Sequence, residues 1–398
     1  MNRHLAGCLL AAAVSTLSTG AIGAVRSAAM GGVGFPDSRG IATVLWNPAL
    51  LDREDRPPWS VAVLALDVEL GNSSLSLSDY KRYNGAVLSE SDKSSILSAI
   101  DADGLETYAA GRGLYPGVQY GSAAIFATTR GAESGKLSKA AVEAVLIGFD
   151  LRDELDLAGQ GEATLWTEIG VAYAHRIGDV QVGASVKRLF GHYTIKSWCV
   201  GEVTPILADS VLKSVGTDGS AYTREADGGG GWGIDLGFAR QWESTTLSVS
   251  VSNLVAQIDW SGNPWLQGVT HRSSDLVGEE FPEGEETDES VAPFTTDLPA
   301  TWRLGAAHRP SPTWTLVAGM VRDSVTGSEL GLGSEWRGVD WLPLRFGTAL
   351  HSVDGIRLST GLGLIVGGFN LDLSVGQGNG VFGGAKGVGV GVGVSFAP

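Results

Sequence analysis

The chain ends in the stretch GVGVGVGVSF, residues 387–396, where Val388, Val390, Val392, Val394 and Phe396 alternate with glycines and Ser395. The same period of two recurs upstream. Phe369, Leu371, Leu373 and Val375 alternate with Asn370, Asp372 and Ser374, and Ile356, Leu358, Leu362 and Leu364 with Arg357, Ser359, Gly361 and Gly363. Trp232, Ile234, Leu236 and Phe238 alternate with Gly233, Asp235, Gly237 and Ala239, and Val180, Val182, Ala184 and Val186 with Gln181, Gly183, Ser185 and Lys187. Successive side chains of a strand point to opposite faces, so these segments are strands with one apolar and one small or polar face.

Two architectures use such strands. A soluble sandwich or barrel turns the apolar face inward, whereas an outer-membrane barrel turns it to lipid. The segments run about 9–13 residues, the length that crosses a tilted bilayer path, while globular strands average nearer 5 or 6. The chain holds 57 glycines, about twice the usual share, and many fall on the non-apolar face, which suits a crowded interior. Trp59, Trp232, Trp242, Trp260, Trp302 and Trp341 lie near segment ends, where interface girdles form. The reading is an all-β fold: a single antiparallel transmembrane β-barrel of about fourteen strands, with an N-terminal luminal plug and short helices in its outer loops.

The strands are expected near 59–69, 105–112, 117–128, 162–176, 179–192, 231–242, 245–259, 300–309, 313–322, 328–337, 342–351, 355–366, 369–376 and 386–396, with a bulge at Asn253. In the first, either Val61 and Val63 or Leu64, Leu66 and Val68 face out. With the N-terminus in the periplasm, the long connections at 70–104, 129–161, 193–230 and 260–299 all fall on the outside. The short ones, GLYPG, IGD, ESTT, PSPT, GVDW and GG, fall on the inside, the asymmetry of bacterial outer-membrane barrels. An even strand number lets the first and last strands pair and removes the sheet's edges. SESDKSSILSAIDADG and KLSKAAVEAVLIGF read as helices in outer loops.

The first 24 residues, with Arg3 and His4 before an apolar stretch and small residues after it, read as a secretory signal. Cleavage removes Cys8 and leaves Cys199 alone, so no internal disulfide forms. Residues 25–58 lack alternation, carry Pro36, Pro48, Pro57 and Pro58, and are too apolar for a free tail. A plug inside the barrel satisfies their backbone. Residues 59–398 form the barrel.

The segment RSAAMGGVGFPDSRGIATVLWNPALL ends in Asn47-Pro48-Ala49 and resembles the N-terminal segment of the FadL-like outer-membrane proteins. SDKSSILSAIDADGLE, GASVKRLFGHY and SVSNL are similar to the TraF-like branch of that group, which also holds hydrocarbon and fatty-acid uptake channels and PorV-like secretion accessories. The resemblance implies a fourteen-stranded barrel, a hatch made by Asn47, Pro48 and Ala49, and, in the uptake channels, exit of hydrophobic substrates through an opening in the wall.

No constellation for catalysis stands out. The histidines at 4, 175, 192, 271, 308 and 351 have no metal-pair spacing, no G-x-S-x-G is present, and GGGGWG at 228–233 precedes a strand, reading as a loop that enters the barrel. No enzyme, cofactor or metal is expected. A formal net charge of −16 disfavours nucleic acid. The inward set includes Glu168, Lys187, Asp235, Arg345, Arg357, Asn370 and Asp372, a polar network or a lining for solutes. The functional expectation is a bacterial outer-membrane channel that passes small hydrophobic molecules and is gated by the plug. Its partners are then outer-membrane lipid and a small hydrophobic or detergent-like ligand in the lumen. The alternative is a non-transporting docking or secretion-accessory barrel that binds a secreted or surface protein.

This topology puts the acidic segment 275–299 outside the cell. An epitope inserted beside Glu285 is expected to bind antibody on intact cells. Detection only after the outer membrane is permeabilised inverts the topology.

Overall fold

The computed structural model describes residues 22–114, 116–148, 155–208, 211–273 and 284–398. Nearly all of the expected signal, and residues 275–283 of the acidic segment, lie outside the described residues.

One antiparallel sheet contains β1 (Trp59–Asn72), β2 (Leu105–Leu114), β3 (Gly117–Tyr120), β4 (Ala123–Leu137), β5 (Leu155–Ile177), β6 (Val180–Ala208), β7 (Val211–Trp242) and β8 (Thr245–Ser273). It continues through β9 (Glu285–Ser290), β10 (Phe294–Asp297), β11 (Thr301–Ser311), β12 (Trp314–Asp323), β13 (Gly327–Trp336), β14 (Leu344–His351), β15 (Gly355–Val366), β16 (Phe369–Gly378) and β17 (Gly387–Phe396). The terminal glycine–valine stretch is the closing strand. It pairs with β16 on one side and β1 on the other, from Val61 opposite Phe396 to Gly71 opposite Gly387. β2 and β3 lie end to end between β1 and β4, and β9, β10 and β11 follow one another along β8. With each broken run counted once, the ring has fourteen staves.

The faces follow the alternation. Val390, Leu358, Ile356, Leu332 and Val375 are exposed toward lipid, and Trp59, Trp232, Trp242, Trp302 and Trp341 ring the outer surface. The two expected faces of β1 are both used. Its register against β17 slips between Ala62 and Leu64, so Val63 and Leu64 are both exposed. The bulge expected at Asn253 is present: Asn253 has φ 57°, and the β7–β8 register slips beside it.

Four expectations are corrected. The turn placed at GLYPG and the strand placed at 117–128 are wrong: β3 continues the stave of β2, and the chain reverses at Gly121-Ser122, with Gly121 at φ 57°. Pro116 interrupts pairing rather than ending the stave, because proline has no amide to donate to the ladder. Residues 129–137, 155–161, 193–208, 211–230, 260–273, 285–290 and 294–297 are strand rather than loop, and β6, β7 and β8 run 29, 32 and 29 residues. About 9–11 residues cross the bilayer, so the rest stands in water, where neither face needs to be apolar and alternation no longer marks a strand. GGGGWG is accordingly paired strand, Gly229 opposite Trp260 and Gly231 opposite Ile258. Trp260 does not join the girdle. It is fully buried, and a Cβ at Gly191 or Gly229 would come within 2.6 or 2.9 Å of its ring.

The outer connections carry the expected helices. Glu90–Ala99 starts in a capping box of Ser89 and Asp92, and Lys139–Leu146 is capped by Ser138. A further helix, Leu77–Tyr83, has the same box from Ser76 and Asp79. The Ser76 hydroxyl and amide hold the Asp79 carboxyl below its usual range. No described helix is long and apolar enough to cross a membrane.

The N-terminal segment fills the barrel. It has a helix at Ile22–Ala28 and three 3-10 turns, Phe35–Asp37, Gly40–Leu45 and Pro48–Asp52, and nearly every side chain from Val25 to Leu51 is buried. Wall glycines line its course. A Cβ at Gly391 would meet Val25 at 3.0 Å, at Gly361 Ala29 at 2.5 Å, at Gly333 Met30 at 2.6 Å, at Gly331 Val33 at 2.9 Å, and at Gly305 Pro36 at 2.7 Å. At Gly391 of the closing strand the plug occupies the volume a side chain would fill, while Gly387 and Gly389 face Asp354 and Glu69.

Val390 is exposed to lipid and Gly391 faces the plug. Val390→Arg is expected to cost about 2–4 kcal/mol at the bilayer midplane. Gly391→Arg should instead displace the helix Ile22–Ala28, with no lipid penalty. Spin labels at 390 and 391 that report one environment would refute the assignment.

Candidate functional site

The plug reaches its tightest wall contact at Asn47-Pro48-Ala49. Pro48 fixes φ and favours an extended residue before it. Asn47 is extended, at φ −152° and ψ 105°, and caps the turn Pro48–Asp52. Its Oδ1 accepts from the Ala49 amide at 2.9 Å, while Nδ2 donates to the carbonyls of Phe238 and Val249, each at 3.0 Å, and to Ser248 Oγ at 2.8 Å. Two further glycines admit the turn. A Cβ at Gly237 would approach Pro48 to 3.1 Å and one at Gly183 would approach Ala49 Cα to 2.6 Å.

Three ionic clusters surround this segment. In the first, Lys187 Nζ lies 2.8 Å from Asp235 and 3.4 Å from Glu168, and Arg130 lies 3.2 Å from Glu168. Lys187 also donates to Asn253 Oδ1, and the Asn253 amide to Asp235, which ties the bulge into the cluster. In the second, Arg345 pairs with Asp372 at 2.5 Å and Glu335 at 2.7 Å, and Glu335 also holds Arg26 of the plug at 2.8 Å. In the third, Arg357 meets Asp354 at 2.9 Å, Glu329 at 2.8 Å and Glu69 at 3.3 Å, and donates to the Tyr108 hydroxyl. Buried ions are expensive unless each finds a partner, and these clusters provide them.

Of the inward residues expected from sequence, Glu168, Lys187, Asp235, Arg345, Arg357 and Asp372 lie in these clusters. Asn370 does not. Its amide donates to the Gly368 carbonyl, 3.0 Å away, and serves its own turn. The reading from sequence missed Arg26, Trp46, Tyr108, Arg112, Arg130, Arg303 and Glu335. Arg303 was legible, because it sits between outward Trp302 and Leu304; Arg26 and Trp46 lie on the plug, where no period marks a face.

The lumen retains a cavity of about 160 Å³ lined by Trp46, Asp67, Arg112, Arg303, Asp354 and Arg357 among others. Between β2 and β3 the described Pro116 stands outside the ladder. β2 pairs as far as Leu114 with Ala65 and Thr128, and β3 resumes with Gly117 opposite Ala62 and Val118 opposite Ile125. The plug backs this stretch. Ile41 approaches Gly117, its amide donates to Ser60 Oγ at 2.7 Å, and Ser60 donates to Gln119 Oε1 at 2.8 Å. Among the described residues no group of His, Cys, Asp and Glu could hold a metal ion.

No known family profile matches the sequence, and no curated protein matches it. Solved structures do match, at low identity. The toluene transporter TbuX of Ralstonia pickettii is 16% identical over 95% of this chain and 98% of its own, with a TM-score of 0.53. A Pseudomonas aeruginosa FadL homologue is 13% identical over 96% and 99%, TM-score 0.50. A TodX mutant described as a monoaromatic hydrocarbon channel is 14% identical over 95% and 99%, TM-score 0.52. The chain therefore has the fold of a FadL-like outer-membrane β-barrel with an N-terminal plug.

Asn47→Ala removes the cap and three wall contacts at once. It is expected to weaken plug docking by about 2–4 kcal/mol, read as faster protease clipping within residues 25–58 while heat-modifiable migration of the barrel persists. An unchanged clipping rate would show that the Asn47 contacts do not hold the plug.

Proposed function

We propose that the barrel is an outer-membrane channel for small, largely hydrophobic molecules, closed by a plug of residues 25–58 after a signal of residues 1–24 is removed. Asn47, Pro48 and Ala49 act as the hatch turn. The observation that carries this reading is a cavity of about 160 Å³ held between the wall and the plug, with Trp46 and Gly31 of the plug in its lining. A hydrophobic molecule held there passes only when the plug moves. The similar proteins described as a toluene transporter and a monoaromatic hydrocarbon channel support the reading through shared fold. Glu168, Lys187, Asp235, Arg345, Arg357 and Asp372 fix plug and wall in register, and Asn370 stabilises a turn. The partners are lipid outside and a small ligand within.

A docking role for a secreted or surface protein is supported by a different observation: β6, β7 and β8 rise well beyond the bilayer, with Trp198 stacked on Tyr222 at 5.6 Å in the raised sheet. Deleting residues 30–50 separates the two. The channel reading expects a folded, heat-modifiable barrel that leaks small sugars in a liposome-swelling assay where the full chain does not. A deletion protein that folds and stays closed overturns the gate and favours docking.

A further inference from the structure

The cavity's lining is not what a hydrocarbon alone requires. Arg112 and Arg130 stand directly opposite one another on β2 and β4, and like charges so placed repel. Arg303 comes from the other side of the ring, and its nearest like charges are these two. Arg112 and Arg303 both lie over the indole of Trp46, at 4.9 and 5.1 Å from the ring centroid.

Their partners do not account for this convergence. Arg130 shares Glu168 with Lys187. Arg303 donates to Ser252 Oγ at 2.8 Å, and its Nε, buried, has no hydrogen-bond partner. Neither Arg303 nor Arg112 has a carboxylate within ion-pair distance among the described residues. Trp46 is 4% exposed, and its Nε1 donor is likewise unpartnered. Five carboxylates line the cavity, and three of them, Glu69, Glu329 and Asp354, pair with Arg357. Asp323 accepts from the Thr301 hydroxyl and the amides of Val325 and Thr326, which leaves Asp67, beside Arg112, as the acid not otherwise engaged. Buried donors without acceptors are costly, and a group that supplies acceptors there binds well.

Size narrows the occupant. An engineered cavity of about 150 Å³ accepts a benzene molecule, and this one is about 160 Å³, room for a molecule of about one ring. Trp46, Trp166, Ala132 and Val321 add apolar lining. We propose that Arg112, Arg130, Arg303 and Trp46 form a binding site for a small organic oxyanion about one aromatic ring in size, an arene carboxylate or sulfonate. The guanidiniums and the indole N–H meet the oxyanion, and the apolar lining meets the ring. The site deepens the channel reading by naming a substrate class, but binding to it can be measured without passage.

The test is calorimetric titration of the full-length barrel in detergent with benzoate, benzenesulfonate, toluene and decanoate. Saturable binding of benzoate or benzenesulfonate, and weaker binding of toluene and decanoate, is expected. Which of the two anions binds more tightly assigns the head group. Arg112→Gln, which removes no hydrogen bond of the fold, and Trp46→Phe, which keeps a ring but loses the orphan donor, should each weaken anion binding about tenfold or more without altering heat-modifiable migration. Equal binding of toluene and benzoate, or full anion binding by both variants, overturns the site. Anion binding by a chain that never passes solutes, even when residues 30–50 are deleted, overturns the channel and leaves the site standing.

Discussion

A backbone inside a bilayer has no water to bond, and every strand of this wall depends on that constraint. The only sheet that meets it is one whose first and last members pair. β1 and β17 do so along most of their length, Ala65 to Gly71 against Gly393 to Gly387. Once the ring is closed, one face of each stave must be apolar for lipid and the other must meet whatever fills the interior. The glycine–valine alternation of the closing strand satisfies both demands in ten residues.

The interior follows from the same closure. A ring of this size leaves a lumen that the wall's own small inward residues do not fill, and the N-terminal segment fills it. Gly183, Gly237, Gly331, Gly333, Gly361 and Gly391 each leave the place of a side chain to a plug atom. The wall side of the contact is therefore bare backbone, and shape alone gives it little directional hold. Ion pairs add direction. Glu335 of the wall joins Arg26 of the plug to Arg345 and Arg337, and Arg309 of the wall meets Asp37 of the plug. Such pairs contribute less to net stability than their number implies, because each ion is first desolvated. Their geometry suits them to fixing one position of the plug.

The wall carries two irregularities. The Asn253 bulge is tied to Lys187 and Asp235, and Pro116, outside the ladder between β2 and β3, lies level with the slip in β1. Bulges and breaks are costly in a membrane unless protein covers the freed groups. Here the plug, Ser60 and Gln119 cover them.

The amino-acid order by itself determined the class of fold, the closing strand, the single end of the ring at which the long excursions lie and the inward position of Glu168, Lys187, Asp235, Arg345, Arg357 and Asp372, because lipid imposes a strict period of two. It also marked Asn47-Pro48-Ala49, whose proline constrains the local backbone wherever it sits. Only the tertiary structure decided what that period cannot encode. Residues 193–208 and 211–230 are strand because their neighbours pair with them in water, where no face needs to be apolar. Trp260 is internal because Gly191 and Gly229 make room for it, and Asn370 serves a turn because Gly368 lies within its reach. The meeting of Arg112 and Arg303 over Trp46 joins residues from two staves and the plug, and no local pattern carries a distance measured across a lumen.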